Sequence, residues 1–149
     1  MAPTNDIEPP KGLASKLTAW GTSAIPPMTL LSLITALHLR PFQALPMLMT
    51  PLLALSSYLT LAGFKMDGAG MTAAWSGIYV LLAARRGRGR GLQAGFRQRF
   101  LSARGAVRGV AMGVGAANTV AGLYVYSTGD REREGRERRE ANRWGVYKD

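Results

Sequence analysis

The chain has 149 residues, a length that suits one domain, and it carries 19 Lys and Arg against 9 Asp and Glu for a formal net charge of +10. It has no Cys, which excludes a disulfide framework, a thiolate metal site and a cysteine nucleophile. Its mean hydropathy is close to zero, but the average conceals a segregation: charges sit at the ends and in short connections, and uncharged apolar runs lie between them.

Residues 1–16 form a polar N-terminal segment containing Pro. Asp6 and Glu8 precede any basic residue, unlike a secretory signal or an Arg-rich mitochondrial presequence, so any organelle address is expected to be internal or uncleaved. From Leu17 to Leu39 the chain runs 23 residues without charge. At about 1.5 Å per residue this is enough for the ~30 Å hydrocarbon core. Pro26 and Pro27 interrupt it and suit the first turn of a helix that then runs to His38, which leaves spanning and re-entrant readings both open. Leu13, Leu17 and Trp20 lie at helical spacing and read as a surface-lying lead-in.

Arg40-Pro41 is a charged turn, and Phe42 to Phe64 is a second uncharged run of 23 residues, with Pro46 and Pro51 near its start. Lys65 to Gly70 reads as a tight connection, and Ala69 to Ala84 is a third run of 16 residues. The stretch from Arg85 to Arg108 then holds eight Arg and no acid. Such a block crosses a bilayer only at high cost, so it stays on one face. Arg85, Arg86, Arg88 and Arg90 fall in a Gly-rich part that forms helix poorly, whereas Leu92, Phe96, Phe100 and Leu101, with Arg97, Arg99 and Arg104 between them, predict a basic amphipathic helix at a membrane surface. Arg85, Arg86, Arg88, Arg90, Arg97 and Arg99 are the candidates for contact with anionic phospholipid or a partner's carboxylates. Gly-Arg segments also bind single-stranded RNA. This one is short and caught between apolar runs, and no nucleic-acid partner is expected.

Gly109 to Gly129 is the last uncharged run. Gly105, Gly109, Gly113, Ala117 and Ala121 recur every four residues. Lipid gives no hydrophobic drive for helices to pair, so small residues that let backbones approach do that work, and these five predict a helix-packing face toward another span of this chain or a different protein. The tail from Asp130 to Arg143 alternates in sign and suits a soluble helix; Trp144 and Tyr147 beyond it are large anchors expected to dock on a partner.

The reading is therefore an all-α integral membrane protein with about four spans, three being possible, near Leu17–Leu39, Phe42–Phe64, Ala69–Ala84 and Gly109–Ser127. The polar segment 1–16 precedes a membrane domain, 17–129, which includes the Arg-rich loop 85–108, and a charged soluble tail occupies 130–149. No phosphate-cradling loop, metal-ligand cluster, catalytic constellation or acid within a span is present, so neither an enzyme activity, a cofactor nor a small-molecule substrate is expected. His38 is the sole His and reads either as a proton relay or as a hydrated interfacial residue, and Asn118 reads as a polar contact across helices.

The layout of apolar runs from Leu17 to Ala84, Arg block, last span and a tail ending NRWGVYKD resembles that of accessory subunits of mitochondrial respiratory complexes, most nearly the fungal accessory membrane subunits of complex I of the NUXM type. The resemblance implies a multi-pass inner-membrane protein of the respiratory chain. Such a subunit would stabilise or assemble the membrane arm of NADH:ubiquinone oxidoreductase beside other membrane subunits, without redox or proton chemistry of its own. It rests on layout, so no functional residue is carried over. In that membrane the Arg loop would face the matrix and both termini the intermembrane space. The alternative is a small membrane protein outside complex I, such as a translocase component, a membrane-shaping oligomer or a carrier.

Overall fold

The structure, a computed structural model, describes residues 12–88, 102–142 and 145. Six helices and no strand are present among the described residues. The first uncharged run divides into α1 (Leu13–Gly21) and α2 (Ile25–His38). The division follows from Pro26 and Pro27, which have no N–H to donate to carbonyls one turn back and so suit only the first turn of a helix. At 14 residues α2 is about 21 Å long.

Helix α3 (Ala44–Leu61) contains Pro51, which cannot donate to the Met47 carbonyl one turn back. The Thr50 hydroxyl donates to that carbonyl instead, at 2.7 Å. At its other end α3 stops in a Schellman closure. The Phe64 N–H donates to the Leu59 carbonyl at 2.9 Å and the Gly63 N–H to the Thr60 carbonyl at 3.2 Å. Gly63 takes the left-handed φ of 94° that this closure requires. The turn is thus Ala62 to Phe64, and the expected connection from Lys65 to Gly70 is instead the opening of α4 (Lys65–Arg88). Gly68 keeps those residues helical by close packing, since a Cβ there would strike Thr60.

Helix α5 (Ala103–Thr128) begins at Ser102, whose hydroxyl accepts from the Gly105 N–H at 3.1 Å. Helix α6 (Arg131–Ala141) begins at Asp130, whose carboxylate accepts from the N–H groups of Glu132 and Arg133. Acids in its first turn and Arg138 and Arg139 in its last complement the helix dipole, and it passes through Gly135 without interruption.

Helices α2 to α5 run alternately up and down as a four-helix bundle. The most extensive pairing is α4 with α5; α3 packs on α4, and α2 touches both α3 and α5 and closes the ring. Helix α1 lies against α5. One end carries the α2–α3 turn and the last turn of α4; the other carries the α3–α4 turn and α6. Toward the first end the interior is made of large residues, Leu30, Ile34, Met49, Leu53 and Tyr79 around Ala111. Toward the second it is small or hydroxylic: Ser56, Ser57, Thr60, Ala69, Thr72, Ala73, Ala121 and Gly122 are buried. Among the described helices only α3 is long and apolar enough by itself to cross a membrane, and α2 is apolar but shorter.

Candidate interaction surfaces on the bundle

The face of α5 that packs inside the chain differs from the expected stripe. Its buried residues are Ala111, Gly115, Asn118, Ala121, Gly122 and Val125. Of the expected set only Ala121 belongs to it. Gly113 and Ala117 are exposed, Gly105 and Gly109 are half-buried, and a Cβ on Gly113 would meet open space. The close approach is made at Gly122, where a Cβ would lie 2.5 Å from the Ala69 carbonyl oxygen, and at Gly115, where it would lie 2.8 Å from Val80. Within this chain the packing face of α5 is therefore not the four-residue stripe, whose Gly113 and Ala117 face outward.

Asn118 lies inside that interface, 1% exposed. Its Oδ1 accepts from Trp20 Nε1 at 2.9 Å, which ties α1 to α5. A notch at Gly21 completes the contact, because a Cβ there would sit 2.7 Å from the Ala121 carbonyl oxygen. The expectation of a cross-helix bond by Asn118 holds, and the partner is Trp20, previously read only as part of an amphipathic lead-in. His38 is half-buried; its Nδ1 donates to the Ile34 carbonyl at 3.0 Å, and its ring stands edge-on to Tyr79.

At the α2–α3 end, Arg40 and the first turns of α5 meet. Arg104 and Arg108 are one helical turn apart on the same face. Arg104 Nη2 donates to the Arg40 carbonyl at 3.2 Å, and Arg108 Nη2 donates to the Ala83 carbonyl at 2.7 Å, two residues before Arg85. Of the Arg candidates named from the sequence, Arg85 is exposed here. The side chains of Arg86 and Arg88, and Arg90, Arg97 and Arg99 entirely, lie outside the described residues, as does the expected amphipathic helix around Leu92 to Leu101. The pair at Arg104 and Arg108 carried a signal in the sequence, i,i+4 spacing at a helix start, that was absorbed into the wider Arg block.

At the opposite end α6 folds back onto its own bundle. Glu134 Oε1 accepts from the Met66 N–H at 2.8 Å and so supplies a cap for the start of α4. The Arg138 guanidinium lies 3.9 Å over the Phe64 ring, and its alkyl chain covers Gly63. Arg131 bridges to Asp67 at 3.0 Å and lies over Tyr126, and Lys65 pairs with Glu137 at 3.6 Å. The tail expected as a soluble helix thus docks, through α6, on the end of its own bundle; Trp144 and Tyr147, the expected docking anchors, lie outside the described residues.

Large apolar side chains cover the outside of the bundle: Met28, Leu45, Leu48, Leu55, Ile78, Leu81, Val110, Val120 and Leu123 are all exposed. No family model matches this chain, and neither a curated protein nor a solved structure matches it.

Proposed function

We propose that the chain is a non-catalytic structural protein of a membrane, with α2 to α5 as four crossing helices. The observation that carries the reading is the direction of the side chains. Met28, Leu45, Leu48, Leu55, Ile78, Leu81, Val110, Val120 and Leu123 face outward around the bundle, while Ser56, Ser57, Thr60, Thr72, Ser76 and Asn118 lie inside it beside the apolar cluster of Leu30, Ile34, Met49 and Leu53. Water would favour polar side chains on that outer surface; lipid favours apolar ones there, with small and hydroxylic residues packing the helices closely within. Most of the inward hydroxyls of α3 bond carbonyls of their own helix, as Ser56 does to Leu52 and Thr60 to Ser56, so they enter the interface without an unmet donor. The low hydropathy of α4 and α5 arises from the Gly, Ala, Ser and Thr of that interface, not from charge along their middles.

The assembly it would serve is the membrane arm of respiratory complex I, on the layout resemblance described above. Solubilisation in mild detergent followed by native electrophoresis tests this. Migration with a megadalton-scale complex supports the subunit reading, whereas migration as a small oligomer supports a membrane protein outside complex I. Release by alkaline carbonate would remove the membrane reading altogether.

A further inference from the structure

We propose that Arg40, Arg85, Arg104 and Arg108 hold the phosphate of an anionic phospholipid in the leaflet at the α2–α3 end of the bundle; the proposal rests on the membrane reading above. Two tertiary hydrogen bonds bring these residues together. Arg104 is anchored on the Arg40 carbonyl and Arg108 on the Ala83 carbonyl, so one turn of α5 joins the α2–α3 turn to the last turns of α4. Each bond uses one Nη2 and leaves the other N–H groups of a planar fork that matches phosphate geometry. The fold thus assembles like charges: Arg104 and Arg108 share a face at i,i+4, a spacing at which equal charges repel.

No acid among the described residues relieves that repulsion. Asp67 lies in the first turn of α4, and Asp130, Glu132, Glu134, Glu137 and Glu140 lie in or beside α6, all at the far end. Arg40 and Arg85 are exposed and make no ion pair among the described residues. At this end no carboxylate among the described residues meets these guanidinium groups, and an external phosphate would supply the counter-charge.

The surroundings select its source. Phe42 is 68% exposed beside Arg40, and Leu81 is 66% exposed one turn from Arg85. A free phosphate or an acidic protein segment would leave this apolar rim in place, unsatisfied. A phospholipid satisfies both parts, its headgroup on the guanidinium groups and its acyl chains along Phe42 and Leu81.

The test uses the full chain in neutral-detergent micelles doped with phosphatidylglycerol, with phosphatidylcholine, or with inorganic phosphate alone, thermal unfolding being followed by circular dichroism. Phosphatidylglycerol should raise the melting temperature and bind at least tenfold more tightly than phosphatidylcholine, and inorganic phosphate at equal concentration should do neither. The double variant Arg40→Gln with Arg85→Gln changes side chains with no internal hydrogen bond in the description above, so it should fold normally. It should lose at least tenfold in phosphatidylglycerol affinity. Arg97→Gln with Arg99→Gln, which removes the same charge from the loop, should lose less than threefold. Equal losses in the two double variants would mean diffuse attraction and overturn the site, as would equal binding of the two lipids or stabilisation by phosphate alone. Carbonate extraction of the same chain from reconstituted vesicles separates the failures. A chain that resists extraction but shows no lipid preference overturns the site only, and a chain that is extracted overturns the membrane reading and the site with it.

Discussion

Thr50 does for α3 what its backbone cannot. Pro51 removes a donor, and the Thr50 hydroxyl meets the Met47 carbonyl in its place. Thr50→Val keeps the shape and removes the hydrogen, and it should cost about 1 kcal/mol; Thr50→Ser should be nearly silent. Chemical denaturation in micelles checks both. Glycines on α5 differ more widely. Gly122→Ala places a methyl group against the Ala69 backbone, which cannot rotate away, and overpacking of this kind costs about 1–3 kcal/mol. Gly113→Ala meets open space and should leave the melting temperature unchanged or raise it, since Ala favours helix. A Gly113 variant less stable than the Gly122 variant would contradict the assigned face. The difference between the four-residue stripe and the intrachain face has a geometric cause. At about 100° per residue, steps of four drift by about 40° each, so a stripe from Gly105 to Ala121 sweeps roughly 160° around the helix. Ala111, Gly115, Asn118 and Gly122 alternate steps of four and three and stay on one side. Small residues were legible in the sequence; which of them faced a neighbour needed the helical phase.

The same contrast holds for whole helices. Helix α6 was legible as a helix, from its alternating charges and Asp130 start, but its partner was not, because Gly63, Phe64 and Met66 lie far back in the chain and carry no complementary pattern. Its energetics divide unevenly. Lys65–Glu137 is roughly half exposed on both sides, 48% and 46%, so screening leaves it little weight. Glu134 satisfies an otherwise orphaned N–H of α4. Glu134→Ala should therefore cost about 1 kcal/mol, in the range of lost helix caps, while Glu137→Gln should change stability by less than about 0.5 kcal/mol. Melting curves of the two variants test the ranking. Truncation before Asp130 should lower the stability of the isolated chain, and an unchanged melting temperature would show that α6 braces nothing. The split of the first apolar run into α1 and α2 was half legible: Pro26 and Pro27 marked the start of α2, and nothing in the local pattern announced that Trp20 would reach Asn118.

On the scale of the molecule, charge is polarised along the bundle. The α2–α3 turn and the Arg block hold nine basic residues and no acid; the remaining segments hold ten basic and nine acidic residues. On the four-span reading, the positive-inside rule, which counts Lys and Arg alone, weighs the two sides almost evenly, nine against ten. The chain lacks Cys, so each engineered one is a unique reporter. Phe42→Cys and Glu140→Cys should react with an impermeant maleimide from opposite sides of sealed vesicles. Labelling of both from one side would rule out the four-span arrangement. The helical class was legible from the uncharged runs alone. Which helices could cross a membrane was not: among the described helices only α3 is long and apolar enough by itself, and α4 and α5 spend interior positions on Gly, Ala and Ser, which lower hydropathy while improving contact.

The bond from Met66 to Glu134 joins residues 68 apart in sequence, with α4 and α5 between them. During synthesis α4 leaves the ribosome first, with its leading amides bare, and their acceptor is made only after the chain has returned through α5. The tail helix therefore works as a latch on the order of manufacture. A chain interrupted anywhere before it presents an open turn at Gly63 and an uncapped amide at Met66, and a chain that extends through α6 covers both.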